Sequence, residues 1–120
     1  VALRCGIDLI DIERVEGGIT RLGERFLNRF FTARERADCE DRPYRLAARL
    51  AAKEAVSKAL GTGIGDIQWV EIEILSDARG RPILHLHGAA QTLSDSLGIT
   101  QWDVSLTHTT TSAAAIAIAL

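Results

Sequence analysis

Between Pro43 and Gly61 the chain reads Tyr-Arg-Leu-Ala-Ala-Arg-Leu-Ala-Ala-Lys-Glu-Ala-Val-Ser-Lys-Ala-Leu, with no helix breaker inside it. Alanine, leucine, arginine, lysine and glutamate are strong helix formers. The proline stands where a first turn tolerates it, and the glycine where a helix ends in the left-handed conformation. The spacing therefore predicts one helix of about five turns. On that helix Glu54 and Lys58 are four apart and share a face.

The flanking segments have other periods. Residues 3–10, LRCGIDLI, are apolar and partly β-branched, the pattern of a strand, with Asp8 inside it. Beyond Asp11, Ile12, Val15, Ile19 and Leu22 recur at helical spacing, although Gly17 and Gly18 each weaken a helix by roughly 1 kcal/mol relative to alanine. Phe26, Leu27, Phe30 and Phe31 form a second apolar patch. Thr32-Ala-Arg-Glu35 is a capping box opening a short helix that runs to about Cys39. Past a Gly61–Asp66 loop, Trp69–Leu75 alternates Val70, Ile72 and Ile74 with Trp69, Glu71 and Glu73, as a half-buried strand would. Asp77–Gly80 turns it into a returning strand, Pro82–His87, making a hairpin. A helix over Gly88–Leu97 ending at Gly98, and two strands, Trp102–Thr107 and Ala113–Leu120, close the chain. The expected fold is α+β: one domain over residues 1–120, a mainly antiparallel sheet packed with one long and several short helices.

Composition narrows the function classes. In 120 residues with 47% hydrophobic and 25% charged side chains, no apolar run approaches the roughly 18 residues of a membrane span. The start lacks a signal-peptide core and cleavage site, and the two cysteines, Cys5 and Cys39, are too few for a disulfide framework, so a cytoplasmic location is expected. The net charge is −2, and aromatic residues are not interleaved with basic ones, which argues against nucleic-acid binding. The charge is uneven: residues 14–49 hold nine arginines and six acids, and residues 50–120 hold four basic groups and seven acids. Only two lysines occur, Lys53 and Lys58, both close to Glu54.

Five features invite chemistry. A carboxylate within an apolar strand, Asp8, must be paired, metal-bound or at an exposed strand end, because an isolated buried charge is prohibitive. Glu54 and Lys58 taken alone would be an ordinary helix pair. His108 ends a strand among hydroxyls in Ser105-Leu-Thr-His-Thr109. His85 and His87 share a strand face but have no third ligand spaced for zinc. The Gly61-Thr-Gly-Ile-Gly65 loop follows a helix C-terminus, the end that disfavours anions, so it is no phosphate-binding loop of the Walker or Rossmann kind.

Together these segments match one family. The series Gly6-Ile-Asp8-Leu-Ile-Asp-Ile-Glu-Arg14, Phe31-Thr-Ala-Arg-Glu35, Leu50-Ala-Ala-Lys53-Glu54-Ala-Val-Ser-Lys58-Ala-Leu-Gly-Thr-Gly63, Gly80-Arg-Pro82 and Val104-Ser-Leu-Thr-His-Thr109 resembles the holo-acyl-carrier-protein synthases. These are the small, trimeric bacterial type of 4′-phosphopantetheinyl transferase, and the resemblance spans essentially the whole chain.

The resemblance implies Mg²⁺-dependent transfer of the 4′-phosphopantetheine arm from coenzyme A to a serine of apo-acyl carrier protein, in fatty acid biosynthesis, with release of adenosine 3′,5′-bisphosphate. Asp8 and Glu54 would hold the metal, and Lys58 would place a cation on the phosphates. Glu54, directly or through a metal-bound water, would be the base. Ser105, Thr107 and His108 match the motif that lines the family's coenzyme pocket, and Arg49 and Gly61 match less diagnostic positions near it. Arg14, Arg21 and Arg25 would receive the acidic carrier. With Arg29 they would fall within about 80° of arc on one continuous helix, although Gly23 stands between the second and third. Active sites would lie at subunit interfaces of a homotrimer. Two alternatives are the same chemistry on peptide or polyketide carriers and a non-catalytic carrier-binding module of the same fold.

Overall fold

The computed structural model describes residues 2–120. Its elements in order are β1 (Arg4–Asp11), α1 (Ile12–Leu22), α2 (Glu24–Phe30), α3 (Ala33–Cys39) and α4 (Pro43–Leu60). They are followed by a 3₁₀ turn (Trp69–Glu71), β2 (Ile72–Ser76), β3 (Pro82–Leu86), α5 (Gly88–Ser96), β4 (Trp102–His108) and β5 (Ser112–Ala119). The class is α+β, as the patterning predicts. The strands divide into a three-stranded antiparallel sheet, ordered β1-β5-β4, and a separate β2-β3 hairpin.

Helix α4 is the axis of the core. Leu46, Leu50, Ala51, Ala55, Val56 and Ala59 are buried along it, and Gly61 ends it in the left-handed conformation with φ 75°. The three-stranded sheet meets α4 through small residues, Ala113, Ala115, Ala117 and Ala119 of β5 and Gly6 of β1, all buried. A Cβ on Gly6 would collide with the Ala55 carbonyl. This close approach brings β1, and with it Asp8 two residues on, directly against the helix that carries Glu54 and Lys58.

Two elements depart from the sequence pattern. The arginine-bearing segment is not one helix. Gly23, at φ 56° and ψ −127°, ends α1 and starts α2, so Arg14 and Arg21 lie on one helix, Arg25 and Arg29 on another, and the shared arc does not form. The strand expected from Trp69 begins only at Ile72, and its alternation is absent: Ile72, Glu73, Ile74 and Leu75 are all buried. Glu73 tolerates burial because the Thr32 hydroxyl donates to it at 2.6 Å and His87 Nε2 lies 3.0 Å away. Those bonds hold its carboxyl below the usual range against the opposing effect of burial. His87 is thus engaged with Glu73.

Helix α1 runs through both of its glycines. A Cβ on Gly18 would strike the Phe26 ring, whereas at Gly17 it would meet nothing within 4 Å. Gly17→Ala should therefore stabilise the protein by up to about 1 kcal/mol, and Gly18→Ala should destabilise it. Denaturant midpoints of the two variants moving in the same direction would contradict this α1–α2 packing.

Candidate active site

The Thr32–Glu35 capping box forms as the sequence predicts, and it positions one of the two lysines. Glu35, fully buried, accepts from Lys53 Nζ at 2.7 Å and from the Ile74 amide at 2.8 Å. Lys53 also donates to the Ile72 carbonyl at 2.6 Å and the Trp69 carbonyl at 3.1 Å. Burial pulls the ammonium pKa down and the Glu35 carboxylate opposes it. Lys53 is therefore spent inside the fold, tying α4 to α3 and the start of β2.

Lys58 and Glu54 point the other way, toward β1. The Lys58 ammonium donates to the Ile7 carbonyl at 2.8 Å and to Asp8 Oδ1 at 3.2 Å, so its closest carboxylate lies across the fold. The side chain keeps 56% of its exposure, leaving the charge within reach of an incoming anion. Glu54 adjoins Asp8, and its carboxyl is pushed up to about 7. Burial is the main cause, followed by the neighbouring Asp8 carboxylate and its charge, while Arg14 and Lys58 oppose the shift. Arg14 Nη1 lies 3.9 Å from Glu54 Oε1. The resemblance leads one to expect Arg14 to receive the carrier; the fold also brings it to the carboxylates.

Asp8 Oδ2 is buried and has no hydrogen-bond partner. Two crowded carboxylates, one of them with a free buried oxygen, fit a hard divalent cation, and Mg²⁺ typically takes one or two carboxylates and completes its shell with water and phosphate oxygens. Among the described residues no group of three or more His, Cys, Asp or Glu side chains gathers as a metal cluster, so a cation here would rest on this pair.

A second feature lies at the other edge of the sheet. A groove of about 620 Å³ is lined by Tyr44, Arg45, Ala48 and Arg49 of α4, Ser76, Gly80 and Pro82 of the hairpin, Asp38, and Leu106–His108 of β4. Arg49 Nη2 donates to Ser76 Oγ at 2.6 Å, while its Nε is buried without a partner, a donor fit for an anion. The Tyr44 and His108 rings pack 5.1 Å apart. None of Asp8, Glu54 or Lys58 lines this groove. They stand by β1, whereas His108 is on β4, the opposite edge of the sheet.

A family model for the 4′-phosphopantetheinyl transferase superfamily matches residues 4–119. The chain belongs to this superfamily. It is 44% identical over 122 residues to the holo-acyl-carrier-protein synthase of Herpetosiphon aurantiacus, covering 96% of each chain. It is 48% identical over 119 residues to that of Moorella thermoacetica, covering 97% of this chain and 92% of that one. The crystal structure of Helicobacter pylori holo-acyl-carrier-protein synthase in complex with coenzyme A has a TM-score of 0.89 to this fold. That match is 31% identical and covers 97% of this chain and 99% of that one.

Within this transferase, Asp8, Glu54 and Lys58 come together, and Arg49, Thr107 and His108 share the groove. Gly61 caps α4 one turn beyond Lys58. Ser105 stands apart. It pairs with Ile116 on the exposed face of the sheet and does not line the groove. Tyr44 and Arg45 escape the sequence reading. The signal available for Arg45 is its spacing of four from Arg49, which puts both guanidiniums on one helix face.

Proposed function

We propose that this transferase, as one phosphopantetheinyl transferase domain, moves the 4′-phosphopantetheine arm of coenzyme A to a serine of apo-acyl carrier protein, using Mg²⁺ held by Asp8 and Glu54. The observation that carries the reading is the carboxylate pair, with its free buried oxygen and Lys58 beside it. When bound, the metal would neutralise pyrophosphate charge and stabilise the leaving group. Lys58 adds a cation aimed at the same phosphates. The carrier serine oxygen bonds to the phosphorus bearing the arm, the bond from that phosphorus to the bridging oxygen breaks, and adenosine 3′,5′-bisphosphate leaves. Glu54, directly or through a metal-bound water, takes the serine proton. Arg14, Arg21 and Arg25 are all exposed and offer positive charge to an acidic carrier.

The separation of the two features supports sites shared between subunits. A coenzyme reaching both Lys58 and the Arg49–His108 groove would draw each from a different chain. The sheet face that would pack in such an assembly is apolar and open: Ile7 is 65% exposed, Leu9 71%, and Ile116 and Ile118 lie beside them. A contiguous apolar patch of this kind marks an interface, and we assign it to the homotrimer. A cytoplasmic role in fatty acid biosynthesis accords with this reading; among the described residues no helix is long and apolar enough to cross a membrane.

Incubation with coenzyme A, Mg²⁺ and apo-acyl carrier protein should raise the carrier mass by one arm, and an unchanged carrier mass would refute the transfer. For the shared site, mixing Asp8→Asn with His108→Ala subunits should restore a fraction of wild-type transfer that neither variant shows alone. Mixed subunits no more active than the separate variants would place both residues in one chain's site.

A further inference from the structure

Two cations face the Asp8–Glu54 pair, and they are held differently. Lys58 is anchored by two hydrogen bonds, to the Ile7 carbonyl and to Asp8. Arg14 reaches over from α1 and stops 3.9 Å from Glu54, with 56% of its side chain in solvent. Among the described residues its guanidinium makes no hydrogen bond, and it sits two helical turns from the exposed Arg21.

We infer that Arg14 is an exchangeable counter-ion, which neutralises Glu54 while the carboxylate pair is free of metal and turns outward to the acidic carrier once a divalent cation takes the pair. This rests on the metal reading of Asp8 and Glu54 given above. A dication bound directly by Glu54 repels a guanidinium a few ångströms away, and of the two resident cations only Arg14 is free to leave. Once released, its charge adds to that of Arg21 on the open face of α1. Metal and carrier then bind cooperatively, and linkage requires each to tighten the other by the same factor. A half-exposed ion pair sets a ceiling of about fivefold on that factor.

The test uses two titrations of the intact protein at low ionic strength, where exposed charges are least screened. Mg²⁺ binding is measured calorimetrically for wild type, Arg14→Gln, Arg14→Lys and Asp8→Asn. Binding of an apo-acyl carrier protein whose acceptor serine is alanine is measured with and without Mg²⁺. Arg14→Gln should bind Mg²⁺ about threefold more tightly than wild type, an estimate within the range of exposed pairs. Mg²⁺ should tighten carrier binding by a similar factor in wild type, by part of it in Arg14→Lys, and not at all in Arg14→Gln. If Asp8→Asn abolishes Mg²⁺ binding while wild-type carrier affinity ignores Mg²⁺, or if the tightening persists in Arg14→Gln, the exchange is overturned and the metal site stands. If Asp8→Asn binds Mg²⁺ as wild type does, the metal reading and the exchange fall together.

Discussion

Lys53→Ala should cost the fold about 3–5 kcal/mol, the usual penalty for removing one partner of a buried ion pair. Both side chains are wholly inaccessible, and the ammonium serves three acceptors at once: Glu35, the Ile72 carbonyl and the Trp69 carbonyl. Without it, the two carbonyls lose a donor, and Glu35 is left with only the Thr32 and Ile74 amides as donors. The melting temperature should fall by about 10 °C or more for a chain of this size. Pairing Lys53→Met with Glu35→Gln should recover part of the loss, because no unpaired charge then remains inside. A Lys53→Ala protein melting within a degree or two of wild type would show that this ion pair contributes nothing to the fold.

That pair also shows where sequence reading stops. Lys53 and Lys58 flank Glu54 on one helix, and both invite a functional question. Local spacing correctly places Glu54 and Lys58 on one face, and a capping box, a Pro and a Gly mark the ends of α3 and α4, because each of those signals acts within a few residues. What Lys58 and Lys53 bond to is decided by chain segments 50 and 18 residues away, on β1 and α3. The burial of Glu73 is equally remote, since its alternation reads as a solvent face until Thr32 arrives from another element. The break at Gly23 could be foreseen as a weakness, but not as the ψ of −127° that redirects the chain. The split of five strands into two sheets leaves no local mark. The resemblance to a known family supplies the roles proposed for Asp8 and Glu54, and the fold supplies their adjacency and the free oxygen of Asp8.

Asp8→Asn and Glu54→Gln should each reduce Mg²⁺-dependent transfer by on the order of 10²-fold or more at limiting metal, since a neutral amide is a poor Mg²⁺ ligand and changes even to groups behind the ligands cost 10–100-fold. The pH dependence of stability separates this from a general loss of structure. The folded Glu54 carboxyl, near 7, binds its proton more tightly than the unfolded one at its ordinary 4.5. Its contribution to stability is therefore fully present below pH 4.5 and is lost as pH rises through about 7. Without metal, wild type and Glu54→Gln should melt close together only below pH 4.5, where the acid is protonated in both states as the glutamine mimics, and Glu54→Gln should melt increasingly higher as the pH rises to 8. Mg²⁺ must displace that same proton, so it should raise the wild-type melting temperature more at pH 8 than at pH 6. Neither amide variant should respond in that way. A Mg²⁺ response in Glu54→Gln equal to that of wild type at pH 8 would mean that the metal sits elsewhere and that Glu54 acts only as a base.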